Sequence, residues 1–232
     1  MRVRTTGALA ILGAIVIFAL SVSAQKAQTS ESSASESILR RTALMTHDRV
    51  NTTSALTMAL SSAGIPGGIV TVSGCGEDVT YIFRSSGVTL RDVLNAIVAT
   101  NPQYAWRINR GAINVTPKRG YPSLLNLRIS ELNVREARSV DEALSQILVI
   151  PEVQKRIHEL NLKRGFMRIG MRDLRRPGSV GASEPHYNFS LRNVTFREAL
   201  NAIARAHGRA VWEYRERHCD GKVEFQIQFL VR

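Results

Sequence analysis

Residues 88–106, VTLRDVLNAIVATNPQYAW, return at 194–212 as VTFREALNAIARAHGRAVW. The shared pattern is Val-Thr-apolar-Arg-acid-x-Leu-Asn-Ala-Ile, closed by a tryptophan. It keeps a constant offset of 106 positions from Val88/Val194 to Trp106/Trp212. A repeat of this kind constrains the architecture first, because the chain must hold the same segment twice in the same local setting.

The repeated segment reads as a helix. Val93, Leu94 and Ile97 fall at helical spacing with Leu90, as Ala199, Leu200 and Ile203 do in the second stretch, so these positions are expected in the core. Thr89 and Thr195 are fair N-caps. Asp92 and Glu198, three residues on, complete a capping-box pattern with an acid near the positive helix end. Pro102 and Gly208 mark the stops. Strand-like runs follow each helix: YAWRI and AINVT around Asn109-Arg110-Gly111, then AVWEY and KVEFQIQFLV across RERHCDG. VEFQIQF alternates strictly, which predicts one buried face.

The flanks match as well. TYIFRSSG and HYNFSLRN are short strands leading into the two helices. Upstream, TTSALTMALSSAG carries Ala55, Leu56, Ala59 and Leu60 on one side. SVDEALSQILVIPEVQKRIHEL does so with Ala143, Leu144, Ile147 and Leu148, and reads as one helix. A strand follows each, GIVTVSG or LKRGFMRIGM. The expected fold class is therefore α+β: two tandem helix–strand–strand–helix–strand–strand modules, each with two helices on a small sheet, over 51–121 and 122–232. SLLNLRISELNV, between them, is an alternating strand able to join either sheet or bridge them. A module of this size buries a modest core, so packing the two together would add stability.

The N-terminus reads as a targeting segment. Arg2 and Arg4 precede an apolar run from Ala8 to Val22, and Val22-Ser23-Ala24 supplies small residues for cleavage after Ala24. Residues 1–24 are thus expected to be a signal peptide. The alternative, an uncleaved anchor, would rest on an apolar run near the lower limit for a span. No cysteine follows the cleavage point closely, which argues against a lipoprotein. Residues 25–50 are a polar linker, Ser-rich at first, and a short helix. Export makes a disulfide between Cys75 and Cys219 possible, with two free thiols as the alternative. The formal net charge is +12, and +10 without Arg2 and Arg4. Such a surface favours anionic partners, which in an exported protein are phospholipid headgroups, anionic glycans and acidic protein faces.

FRSSGVTLRDVLNAIVATNPQYAWRINRGAINVTP and FSLRNVTFREALNAIARAHGRAVWEYRE each resemble the secretin and TonB N-terminus short domain, in which a strand ending near Asn-Val-Ser/Thr leads into a helix with an acid-Ala-Leu pattern and then a β-hairpin. The match covers most of 51–117 and, more loosely, 139–232. The resemblance implies an exported α+β module without catalytic residues that contacts other envelope proteins, in the periplasm or at the envelope. No barrel, pore or plug sequence follows the second module, so a stand-alone pair is expected. The stretch RDLRRPGSVGASEP is longer than the pattern requires.

Residue chemistry points the same way. His47, His158, His186, His207 and His218 form no metal-spaced pair, and no nucleophile elbow, zincin helix or phosphate loop is present. No catalytic residue, metal or cofactor is expected. Asp92 and Glu198 are better explained by capping than as paired acids. Arg91 and Arg197 are exposed helix positions or a shared contact, and Trp106 and Trp212 are expected in the core.

One feature is not a core pattern: KRGFMRIGMRDLRR, with Lys163, Arg164, Arg168, Arg172, Arg175 and Arg176 against Asp173 alone. Strand spacing puts Arg164, Arg168 and Arg172 on one face. Two readings stand, an edge strand guarded by charge and a docking surface for an acidic protein or an anionic lipid or glycan. Nucleic acid is not among the expected partners, because export separates the chain from most of it and no stacking aromatics line the strand.

Overall fold

The computed structural model describes residues 35–43, 50–75, 80–81, 88–120, 122–165, 186–208 and 210–230. The fold is mixed α+β: six α-helices, one sheet of six strands and three two-stranded sheets among these residues. In chain order the elements are α1 (35–39), β1 (Thr42–Ala43), β2 (Val50–Asn51), α2 (Thr52–Ser62), β3 (Gly67–Ser73), β4 (Thr80–Tyr81), β5 (Val88–Thr89), α3 (Leu90–Thr100), β6 (Tyr104–Asn109) and β7 (Ala112–Pro117). A 3-10 turn (Ser123–Asn126) leads to β8 (Arg128–Ala137), α4 (Val140–Leu148), α5 (Pro151–Glu159), β9 (Leu162–Arg164), β10 (Tyr187–Thr195), α6 (Phe196–His207), β11 (Val211–Cys219) and β12 (Lys222–Leu230).

The two repeated helices start as their sequence predicts. Thr89 Oγ1 accepts from the Asp92 amide at 3.3 Å while Asp92 Oδ2 takes the Thr89 amide at 3.2 Å. Thr195 and Glu198 repeat the exchange at 3.2 and 2.8 Å. Leu90, Val93, Leu94 and Ile97 of α3 are buried, as are Ala199, Leu200 and Ile203 of α6.

The large sheet runs β6-β7-β3-β11-β12-β9. β3 lies parallel to β7, and β7 pairs antiparallel with β6; β9 lies parallel to β12, and β12 pairs antiparallel with β11. The two groups of three strands join by β3 and β11, parallel over Val211↔Gly67 to Arg217↔Ser73. Instead of two small sheets there is one, because an unpaired edge on each would leave a row of backbone donors and acceptors that this ladder satisfies.

Side chains alternate across a strand, so neighbouring residues serve opposite faces. Ile69 and Val211 belong to a core with α2 and α3, whereas Val70, Trp212 and Tyr214 belong to a core with α4 and α6. The helices therefore cover opposite faces of the common sheet. The first core reaches back to Leu39 and Ala43, ahead of residue 51.

Several expectations change. The stretch 139–160 is two helices, α4 and α5, because Pro151 takes the first position of α5 and holds Ile150 extended (φ −59°, ψ 132°). β8 joins neither part of the large sheet; it forms a separate two-stranded sheet with β10 and contributes Ile129, Leu132, Val134 and Ala137 to the second core. RERHCDG is mostly strand: the turn of the second hairpin is Asp220-Gly221, with φ 52° and 70°, matching Arg110-Gly111 at 48° and 78° in the first. Both are two-residue turns with two positive φ angles, the geometry that suits strand twist.

Candidate functional site

The junction between β3 and β11 is where the two halves of the chain depend on each other. Trp212 stands opposite Gly68, and a Cβ on Gly68 would sit 1.9 Å from Trp212 Cε2. Only glycine lets the indole lie over the neighbouring strand. Trp212 Nε1 donates to Asn201 Oδ1 at 2.8 Å, and both residues are buried. The first half repeats the bond: Trp106 Nε1 donates to Asn95 Oδ1 at 3.1 Å. Trp106, however, is only partly buried, because among the described residues β6 is an edge strand.

Cys75 and Cys219 form a disulfide across the same junction, two residues beyond the last ladder pair, Arg217↔Ser73. It closes a sequence separation of 144 residues. Asp220 lies beside it, with Oδ1 4.0 Å from Cys75 Sγ. With the sulfurs bonded to each other, this cluster offers a metal one carboxylate and no thiolate.

β11 also buries two acids that its sequence did not single out. Glu213 is fully buried and accepts from Arg215 Nε at 2.6 Å and from Gln228. Glu216 accepts from Tyr214 Oη at 2.6 Å and bonds His218 Nε2 at 2.8 Å. The two sit on opposite faces of the strand. The signal for them was present in VWEYRERHC, where acid and base recur two positions apart on each face.

An electrostatic link crosses the halves at α6. The Thr195 backbone bond, helped by the nearby Arg110 and Arg197 charges, holds the Glu198 carboxyl below the usual glutamate range. Burial lowers Arg205, with Arg110 adding to the effect. Arg110 comes from the turn of the first hairpin, so the charges of one half act on the helix of the other.

Among the residues singled out from sequence, Lys163 and Arg164 are exposed on β9, at the opposite end of the sheet from β6. Arg168, Arg172, Arg175 and Arg176 lie outside the described residues, as does the N-terminal segment 1–34. Asp92 and Glu198 serve as caps and stand on different helices. Arg91 pairs with Glu36 of α1. No described helix is long and apolar enough to cross a membrane. No protein-family model matches the chain, and neither a curated protein nor a solved structure does.

Proposed function

We propose that the chain is a tandem pair of α+β modules, similar to the secretin and TonB N-terminus short domain, that acts in the cell envelope as a non-enzymatic protein-binding unit. The observation that carries the tandem reading is a repeated register. Thr42 and Ala43 pair with Thr89 and Val88, and Arg128 and Ile129 pair with Thr195 and Val194. The second set is the first moved by 86 positions on one strand and by the repeat's 106 on the other. The equivalent indole–asparagine bonds and the two capping boxes keep the same 106 offset.

The non-enzymatic reading is supported by what the repeated polar residues do. Thr89, Asp92 and Asn95, with Thr195, Glu198 and Asn201, are all engaged in holding their own helices and hairpins. The envelope location rests on the apolar segment at 8–22 and on the disulfide, which suits an oxidising compartment. Crosslinking in the envelope fraction should return a discrete protein partner, and a broad hydrolase screen should return no turnover. Turnover abolished by a single substitution would overturn the reading.

The exposed pair Lys163 and Arg164 on an edge strand favours a second reading, attachment to an anionic lipid or glycan through 163–176. Salt-sensitive sedimentation with anionic liposomes or peptidoglycan that disappears when Arg164, Arg168 and Arg172 become glutamine together would support it. Binding unchanged by the triple substitution would remove it.

A further inference from the structure

We propose that the outer edge of β6 is a strand-docking site, which accepts an extended segment of a partner protein running parallel to β6, with a small residue opposite Trp106 and an acid opposite Arg107. The inference rests on the tandem reading above and names the surface and the partner chemistry that the reading leaves open.

β11 is the first strand of its hairpin, pairs antiparallel with β12 on one side and accepts β3 in parallel on the other. β6 is likewise the first strand of its hairpin and pairs antiparallel with β7, but no described residue pairs with its other side. The backbone groups available on that side follow from the ladder. Residues flanking a two-residue turn form a hydrogen-bonded pair, and pairs alternate from there. In the first hairpin Asn109, Arg107 and Ala105 thus bond inward to β7, while Ile108 and Trp106 point their backbone groups outward. In the second, the same count directs Trp212 and Tyr214 outward, towards β3. The two tryptophans occupy the same place on the same kind of edge.

Side chains agree with the backbone. Each indole is tied to its own helix by an equivalent asparagine bond, which gives it the same anchor. In the second half the indole lies over Gly68 and is fully buried. In the first half Tyr104, Trp106 and Ile108 form a partly buried apolar row along the open edge. A guest strand with glycine at the Gly68 position would cover Trp106 as β3 covers Trp212. Beside Trp106 comes Arg107, exposed, where the second half has Glu213. This cation favours an acid in the guest, in keeping with the chain's net positive charge.

The same charge argues against a second copy as the occupant. The other end of the sheet, β9, carries exposed Lys163 and Arg164, and setting it along β6 would bring a cation close to Arg107. Like charges facing each other across a ladder are destabilising. The occupant is therefore a foreign, acidic, glycine-containing strand, added by main-chain hydrogen bonds in the manner of β-augmentation.

The probe is a labelled peptide with the sequence of residues 65–73 and glutamate in place of Ile69, Ile-Pro-Gly-Gly-Glu-Val-Thr-Val-Ser, titrated into the intact chain and followed by fluorescence polarisation. Saturable binding is expected, with a change in Trp106 emission. N-methylation of the peptide's glutamate amide, which faces the host because the outward groups of Trp106 bond to the residues flanking the one opposite it, should weaken binding about tenfold or more. The exposed substitution Arg107→Glu should weaken the acidic peptide about fivefold and favour its lysine counterpart instead. Binding no better than that of a scrambled peptide, indifference to N-methylation, or a charge preference unmoved by R107E would each overturn the proposal. An envelope partner whose crosslinks map away from β6 would leave the protein-binding reading standing and remove this site.

Discussion

Trp106 and Trp212 are one motif in two situations. Each closes the same helix–hairpin pattern and each donates its indole N–H to an asparagine eleven residues earlier. Trp212 is buried because β3 runs beside it with Gly68 at the point of contact. Trp106 is only partly buried because its strand ends the sheet among the described residues. What separates a core tryptophan from a surface one here is the neighbour supplied by another part of the chain. The residue and its local structure are the same.

The largest effects are expected at the helices. Leu94 and Leu200 are both fully buried, and replacing either with Asp places an unpaired charge in a core at a cost of several kcal/mol. L200D should unfold the chain, because the second core holds the junction strand β11. L94D should abolish the first core. A soluble L94D protein with unchanged melting would refute the helix and core assignment. Next in size is Gly68→Ala. Its Cβ has no room against Trp212, and the forced shift should cost about 3 kcal/mol or more, in the upper range for overpacking. Denaturant unfolding and near-ultraviolet dichroism of the buried indole report it. Unchanged stability in G68A would mean that the junction yields easily and that the contrast between the two tryptophans is shallow.

A finer test compares the asparagines. Asn201→Ala leaves a buried indole N–H without its acceptor and should cost about 1–3 kcal/mol. Asn95→Ala exposes the Trp106 N–H to water and should cost about 1 kcal/mol or less. Equal losses would show that the edge indole is as well enclosed as the inner one. The caps act on the same small scale as the outer asparagine. Thr195→Ala should lose about 1 kcal/mol at neutral pH. The Glu198 carboxyl titrates low in the folded state, so its contribution is present above the ordinary glutamate value of about 4.3 and is lost as pH falls through the folded value. The gap between the parent and T195A should close in that acidic window. A gap that persists through it would mean that Glu198 is not the group coupled to Thr195.

Much of the local structure was legible in the sequence. The helical spacing of Val93, Leu94 and Ile97 and the Thr-x-x-acid starts describe α3 and α6, since capping and burial of one face are decided within a few residues. The Asn-Arg-Gly turn and the alternation in VEFQIQF describe the hairpins for the same reason. Elsewhere a competing local signal prevails. Pro151 divides what looked like one helix, because the residue before proline avoids helical geometry. Arg215 to His218 looked like a loop because of their charge, yet they extend β11, where the neighbours Glu213 and Glu216 satisfy two of them.

The candidate site was less legible. The pairing of Cys75 with Cys219 stood open in the sequence, and Trp106 and Trp212 were equally expected to be core. Sequence alone determined that the chain contains one helix-and-hairpin pattern twice, because periodicity, caps and turn residues act over short spans. Tertiary structure decided that β3 would join β11, that the helices would cover opposite faces, and that β6 rather than β11 would be left as an edge. Those outcomes depend on which strand finds which partner across the chain, and the deciding contact is the fit of a glycine beneath an indole, residues 144 positions apart in the sequence.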